Sequence, residues 1–155
     1  MVVVVLFLPV LLLSTGLVTD LGLLFVSRNL AYQAAELGAL AGAQDVDLNA
    51  LGQGRLVLME SRAADDASSY AWRNLTRSFP RLDLSQSGRV AVEVYNASTA
   101  SPARHRQTGR LLVDPTVSVT VELSVPLYFL RPLRSKADLR VHADASVRTK
   151  HSSQV

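Results

Sequence analysis

His105, His142 and His151 are the side chains of this sequence best suited to hold a metal or move a proton. They have no metal-ligand spacing, and the chain has no cysteine to complete a site or act as a nucleophile. The pattern around them predicts one histidine in a loop, one on the polar face of a strand and one in the C-terminal tail. A Ser/His/Asp set can be picked from any chain of this length, but no G-x-S-x-G elbow accompanies one here. Gly52-Gln-Gly54 is too sparse to cradle a phosphate. Asp65 and Asp66 are adjacent, so on a helix they project about 100° apart, too divergent to share a proton. Solvated helix charges account for them. Asn74-Leu-Thr76 and Asn96-Ala-Ser98 fit the glycosylation triplet, yet Asn74 falls on a predicted helix. These residues predict no enzyme, no cofactor, no metal site and no small-molecule substrate.

Asp20 is the one ionisable residue whose place asks for a reason. From Met1 to Ser27 it is the only ionisable side chain. Val2 to Thr19 is uncharged, and Leu21 to Val26 continues the apolar run. At about 1.5 Å per residue, Val2 to Val26 reaches roughly 37 Å, against a hydrocarbon core of about 30 Å. Pro9 removes one helical hydrogen bond, which a transmembrane helix tolerates. A cleaved signal would carry a basic start and a small-residue cleavage site close behind the apolar run. Here no basic start is seen, and Ala39-Leu40-Ala41 lies well past it. Residues 1–26 are therefore expected to be a retained anchor in membrane lipid. If the span ends at Thr19, Asp20 lies at the headgroup boundary, the favoured reading. If it runs to Val26, the carboxylate needs a partner, such as an Arg or amine of a neighbouring subunit. Charge leaves orientation nearly tied, with the Met1 amine at one end and Arg28 at the other.

The anchor continues without a turn signal to about Gln44, predicting one helix of about forty residues. Ala34, Gly38 and Gly42 form a row of small residues at helical spacing, which suggests close approach by another helix. A second helix is expected over roughly 51–78, with Leu56, Met59, Ala63, Ala67, Tyr70 and Ala71 on one face and Pro80 as its stop. The period then changes to two. Val90–Val94, Val117–Val125 and Leu139–Val147 alternate apolar and polar, predicting three antiparallel strands covered on one side by the helices. Residues 27–78 form the helical part and 79–155 the β-rich part of one α+β domain. The 97–112 segment, with Arg104, His105, Arg106 and Arg110, reads as a polar, mobile loop. Pro126 to Leu133 is apolar where connectors are usually polar. Leu127, Tyr128, Phe129 and Leu130 suit a cap on the sheet, a dip into the bilayer interface or a contact with another subunit. The sequence pI of 9.7 raises the question of nucleic acid. The basic residues are scattered and not interleaved with aromatics, so no nucleic acid is expected.

Asp20-Leu-Gly22, Arg28, Leu30 and Gln33-Ala-Ala-Glu-Leu-Gly-Ala-Leu-Ala-Gly-Ala43, following an apolar span, resemble the N-terminal segment of Tad/Flp (tight adherence) pilus pseudopilins, TadE/TadG-like proteins. That family's run approximates D-x-G, an Arg, then L-Q-x-A-A-D-A-A-A-L-A-G-A. Glu36 stands where its Asp is expected, and Gly38 replaces an alanine. Thr116 to Leu130 and Leu139 to Val147 are similar to the family's strand, apolar connector and final strand. The resemblance implies a pilin-like fold and a minor structural or assembly subunit of a type IV-like pilus or related secretion system. It also implies a single-pass protein of the bacterial cytoplasmic membrane, with its C-terminal domain on the extracytoplasmic side. The N-terminal helix would engage other pilus subunits through Asp20, Gly22, Arg28, Gln33, Ala34, Gly38 and Gly42. The alternative is a tethered binding module that uses the basic loop or the apolar connector.

Overall fold

The computed structural model describes residues 2–131 and 134–148, with side chains described from Phe7 onward. His151, Pro132 and Leu133 lie outside the described residues. The first element, α1, spans Val2–Gly42 as one helix of 41 residues with Pro9 inside it. Among the described residues it alone is long and apolar enough to cross a bilayer. Its covered positions recur at three- and four-residue steps: Gly16, Asp20, Ser27, Ala31, Ala34, Ala35, Gly38, Ala39 and Gly42. This is a stripe of mostly small side chains running about two thirds of the helix length. Glu60–Ser78, Thr116–Pro126 and Lys136–Ser146 pack on it.

The second helix differs from expectation. A short α2 (Leu48–Gly52) forms first, and α3 begins only at Glu60 and runs to Ser78. The spacing of Leu56 and Met59 continues the helical period, but local chemistry overrides it. Asp47 caps α2 by accepting from the backbone N–H of Asn49 and Ala50, and Gly54 turns the chain at φ +75°. The chain then runs back so that Val46 and Leu58 pair as an antiparallel bridge. Asn96 locks that return: its Oδ1 accepts from Leu58 N–H at 2.7 Å, and its Nδ2 donates to the Leu58 carbonyl at 3.1 Å.

The strands are β1 (Gly88–Tyr95), β4 (Thr116–Pro126) and β5 (Lys136–Ser146), antiparallel in the order β1-β4-β5. A four-residue helix, α4 (Leu84–Ser87), leads into β1. The register stacks Val92, Val119 and Ala143 across the sheet, with Val94, Val117 and Ala145 beside them. Those rows face the helices. The small alanines of β5 let α1 lie close against the sheet, while Ala63, Ala67 and Ala71 of α3, all fully buried, pack against α1. The fold is α+β and pilin-like, as the alternating valines and the long helix imply.

The sheet is not open on its other side. Thr116 to Val121 of β4 are buried on both faces. The segment expected to be mobile folds back as a small hairpin, β2 (Ala103–Arg104) with β3 (Leu111–Leu112), and lays His105 over the polar face of β4. The hydroxyls of Ser118 and Thr120 draw it there, because a buried hydroxyl needs a partner.

Gly38 and Gly42 meet α3 directly. A Cβ on Gly38 would stand 2.7 Å from the Ala67 carbonyl oxygen, and one on Gly42 would stand 2.5 Å from that of Ala63. The order of these contacts makes the pair antiparallel. Gly22, by contrast, has nothing within 4 Å. Gly42→Ala therefore forces the helices apart and is expected to cost about 1–3 kcal/mol of stability. Gly22→Ala relieves a poor helix former and leaves stability equal or higher. Thermal unfolding of the full chain in detergent micelles or nanodiscs checks both.

Candidate functional site

The feature with the most unusual chemistry is the contact between α1 and the tip of the β4–β5 hairpin. Hydrophobic alternation carries β4 out to Pro126, and the chain turns in Leu127–Leu130. Two backbone bonds close the turn: Leu127 N–H donates to Ser135 O at 3.1 Å, and Arg134 N–H to Leu130 O at 2.9 Å. The turn aims three consecutive N–H groups at one carboxylate. Asp20 Oδ1 accepts from Tyr128 at 3.0 Å, and Oδ2 accepts from Phe129 at 3.0 Å and Leu130 at 2.7 Å. Successive N–H groups converging in this way make a concave anion site. The anion here is the chain's own side chain, about 110 residues away in sequence. Asp20 is 1% exposed.

One turn earlier, Gly16 is covered by Phe129. A Cβ at Gly16 would fall 2.8 Å from Phe129 Cβ and Cγ, so only glycine lets the ring cross the helix backbone there. Leu127 is buried beneath the tip, while Tyr128 and Phe129 are exposed outward, at 68% and 57%.

The residues singled out from sequence thus fall into two groups on α1. Asp20, Ala34, Gly38 and Gly42 face inward, the first held by the hairpin tip and the others on the α3 side of the helix. Gly22, Arg28 and Gln33 face outward and are exposed. The close approach expected of the Ala34/Gly38/Gly42 row is made inside the chain. Asp20 is buried rather than solvated, and its partners among the described residues are backbone N–H groups. Gly16 was not apparent from sequence, although a glycine one turn before a lone carboxylate is a detectable signal.

The burial of His105 also emerged only with the fold. The residue is 1% exposed, with Nε2 at 3.0 Å from Ser118 Oγ and 3.1 Å from Asp144 Oδ1. Its Nδ1 accepts from the backbone N–H of Gln107 and Thr108, both at 3.2 Å. Two donors on Nδ1 fix the tautomer with its proton on Nε2. The trio superficially suggests a Ser/His/Asp relay. In such a relay the acid and the nucleophile hold opposite ring nitrogens, whereas here both meet Nε2. The arrangement braces the 97–112 segment to the sheet. Nearby, Arg106 pairs with Glu93 at 3.5 Å and Arg140 with Glu122 at 3.4 Å, and with Arg89 the trough on this face carries three arginines against two glutamates.

Asp45, just past the end of α1, is 7% exposed. Its Oδ1 pairs with Arg62 at 2.9 Å, while Oδ2 is buried without a hydrogen-bond partner among the described residues. Burial first, and then the charge of Asp66, push its carboxyl above the usual carboxylate value of 3.8, and Arg62 opposes them. The folded protein therefore holds this proton more tightly than the unfolded chain. The resulting stability is complete below the unfolded pKa and is lost as pH rises through the folded one. Stability should fall as pH climbs above 3.8, and Asp45→Asn should flatten that part of the profile. Denaturant midpoints measured against pH for both proteins check this.

The structure defines a pilin-like protein: an apolar helix whose distal half is the spine of a small α+β body. Residues 1–45 match the Tad family model, described as "Putative Flp pilus-assembly TadE/G-like". That description places the matched segment's relatives in Flp pilus assembly. No curated protein and no solved structure matches the chain.

The amides of Tyr128, Phe129 and Leu130 should be among the slowest-exchanging in any turn of this protein. In Asp20→Ala they should exchange at the rate of an open loop, while those of β4 stay protected. Deuterium exchange read by mass spectrometry tests this.

Proposed function

We propose that this protein is a minor, pseudopilin-like structural subunit of a Tad/Flp pilus or a related secretion system. It is anchored in the bacterial cytoplasmic membrane by α1, with its body on the extracytoplasmic side. The observation that carries this reading is the family match over residues 1–45, falling on a helix that passes unbroken from an exposed apolar half into the core of the body. Phe7, Leu11, Leu12, Leu13 and Val18 are exposed, and an aqueous setting would penalise each by about 1.5–3 kcal/mol relative to burial. Lipid or neighbouring helices remove that cost.

Because α3 occupies the inner stripe, the face of α1 that meets other subunits is the outer one. Val18, Gly22, Phe25, Tyr32, Gln33 and Leu40 are exposed along it. Gly22, with no neighbour within 4 Å, offers a point of close approach to another helix. A photo-crosslinking residue placed at Phe25 or Tyr32 in the native cell should capture other pilus subunits. One placed at Ala34 should capture only this chain. Crosslinks confined to Arg106 and Arg110, with none from α1, would instead favour a tethered binding module.

A further inference from the structure

We propose that the tip of the β4–β5 hairpin is a membrane-inserted wedge. Leu127–Leu130 occupies the interfacial layer of the bilayer beside α1, with Tyr128 and Phe129 toward lipid. This inference rests on the reading that α1 crosses a bilayer.

The level of the tip on the helix carries it. The tip meets α1 at Gly16 and Asp20, but the exposed apolar side chains of α1 continue past that level toward the body. Leu21, Leu23, Phe25 and Val26 are exposed at 54%, 42%, 73% and 55%, and the next ionisable residue is Arg28. A lipid layer that covers Phe25 and Val26 also covers the tip. Asp20 and Arg28 are eight residues apart, about 12 Å along the axis. The polar layer of one leaflet is only about 5–8 Å thick. With Arg28 among the headgroups, the level of Asp20 lies at or below the edge of the hydrocarbon.

A turn at that depth is tolerated only if its backbone groups are satisfied within the protein. Here the N–H groups of Leu127–Leu130 are: three go to Asp20 and that of Leu127 to Ser135 O, while Leu130 O accepts from Arg134 N–H. The match is reciprocal, since a carboxylate at that depth is admissible only with such partners. The outward residues suit the place as well. Tyrosine favours the layer between water and hydrocarbon, and the exposed Arg131 stands next to the tip to reach anionic headgroups.

The absence of cysteine from the chain makes the test clean. Single variants Tyr128→Cys, Leu21→Cys and Ser98→Cys of the full protein would carry a polarity-sensitive fluorophore. The proteins would sit in vesicles of phosphatidylethanolamine and phosphatidylglycerol, with iodide quenching from water and brominated acyl chains quenching from lipid. Ser98 lies beyond the opposite end of the sheet and reports the aqueous body. The expected result is lipid quenching at 21 and 128 and iodide quenching at 98. Lipid quenching at 21 with iodide quenching at 128 overturns the wedge while leaving the span intact. Iodide quenching at both overturns the span, and the wedge with it. Shielding at 128 that disappears when the protein is diluted into excess lipid means that a neighbouring chain covers the tip, which also overturns the wedge. In an Asp20→Ala background the probe at 128 should move to water while the probe at 21 stays in lipid. A probe at 128 that remains in lipid removes Asp20 from the device.

Discussion

Three backbone N–H groups converging on the Asp20 carboxylate tie the far end of the sheet to the middle of the long helix. Elsewhere the body is held to α1 by packing against α3, β4 and β5. The tie extends the shared surface back to Gly16. It also explains why an acid can stand in a stretch otherwise free of ionisable groups. Asp20 is buried rather than solvated, and the dipoles of a turn shaped around it hold it. The exchange is mutual, since the turn has no other use for those donors.

The rest of the body is held by small residues, which trade area per side chain for close approach. Gly38 and Gly42 bring α3 to a distance at which a single added methyl would collide with a backbone carbonyl. Ala143 and Ala145 are the buried small residues of the strand that packs on α1. Large side chains enter where this layer thins: Leu58, Leu75 and Leu123, all nearly inaccessible, fill the space between α3 and the strands. The polar face of the sheet follows another logic. There His105, Ser118 and Asp144 satisfy one another, and the 97–112 segment becomes part of the body.

Much of this architecture was legible in the sequence, for a physical reason. Period-two alternation from Val117 to Val125 encodes a strand whatever surrounds it, and an apolar run that passes without a turn signal into the Ala- and Leu-rich stretch ending at Gly42 encodes a helix. What stayed hidden depends on partners distant in sequence or without a residue signature. The donors to Asp20 are main-chain groups, which no side-chain pattern announces. His105 looked like a loop residue because its burial is set by Ser118 and Asp144, 13 and 39 positions away. The break before α3 was masked because Leu56 and Met59 keep helical spacing by coincidence. The cap at Asp47 and the turn at Gly54 decide that region, and both act over only a few residues.

One consequence concerns mechanics. Since α1 is a single rod from Val2 to Gly42, gripped by the body from Gly16 onward, no swivel separates the apolar end from the sheet. A pull or twist applied at either end reaches the other without an elastic joint to absorb it. Along that load path the hairpin tip is fastened to the rod by the three hydrogen bonds at Asp20, so strain in the apolar half is passed to the far end of the sheet as well as to the alanine-packed helices.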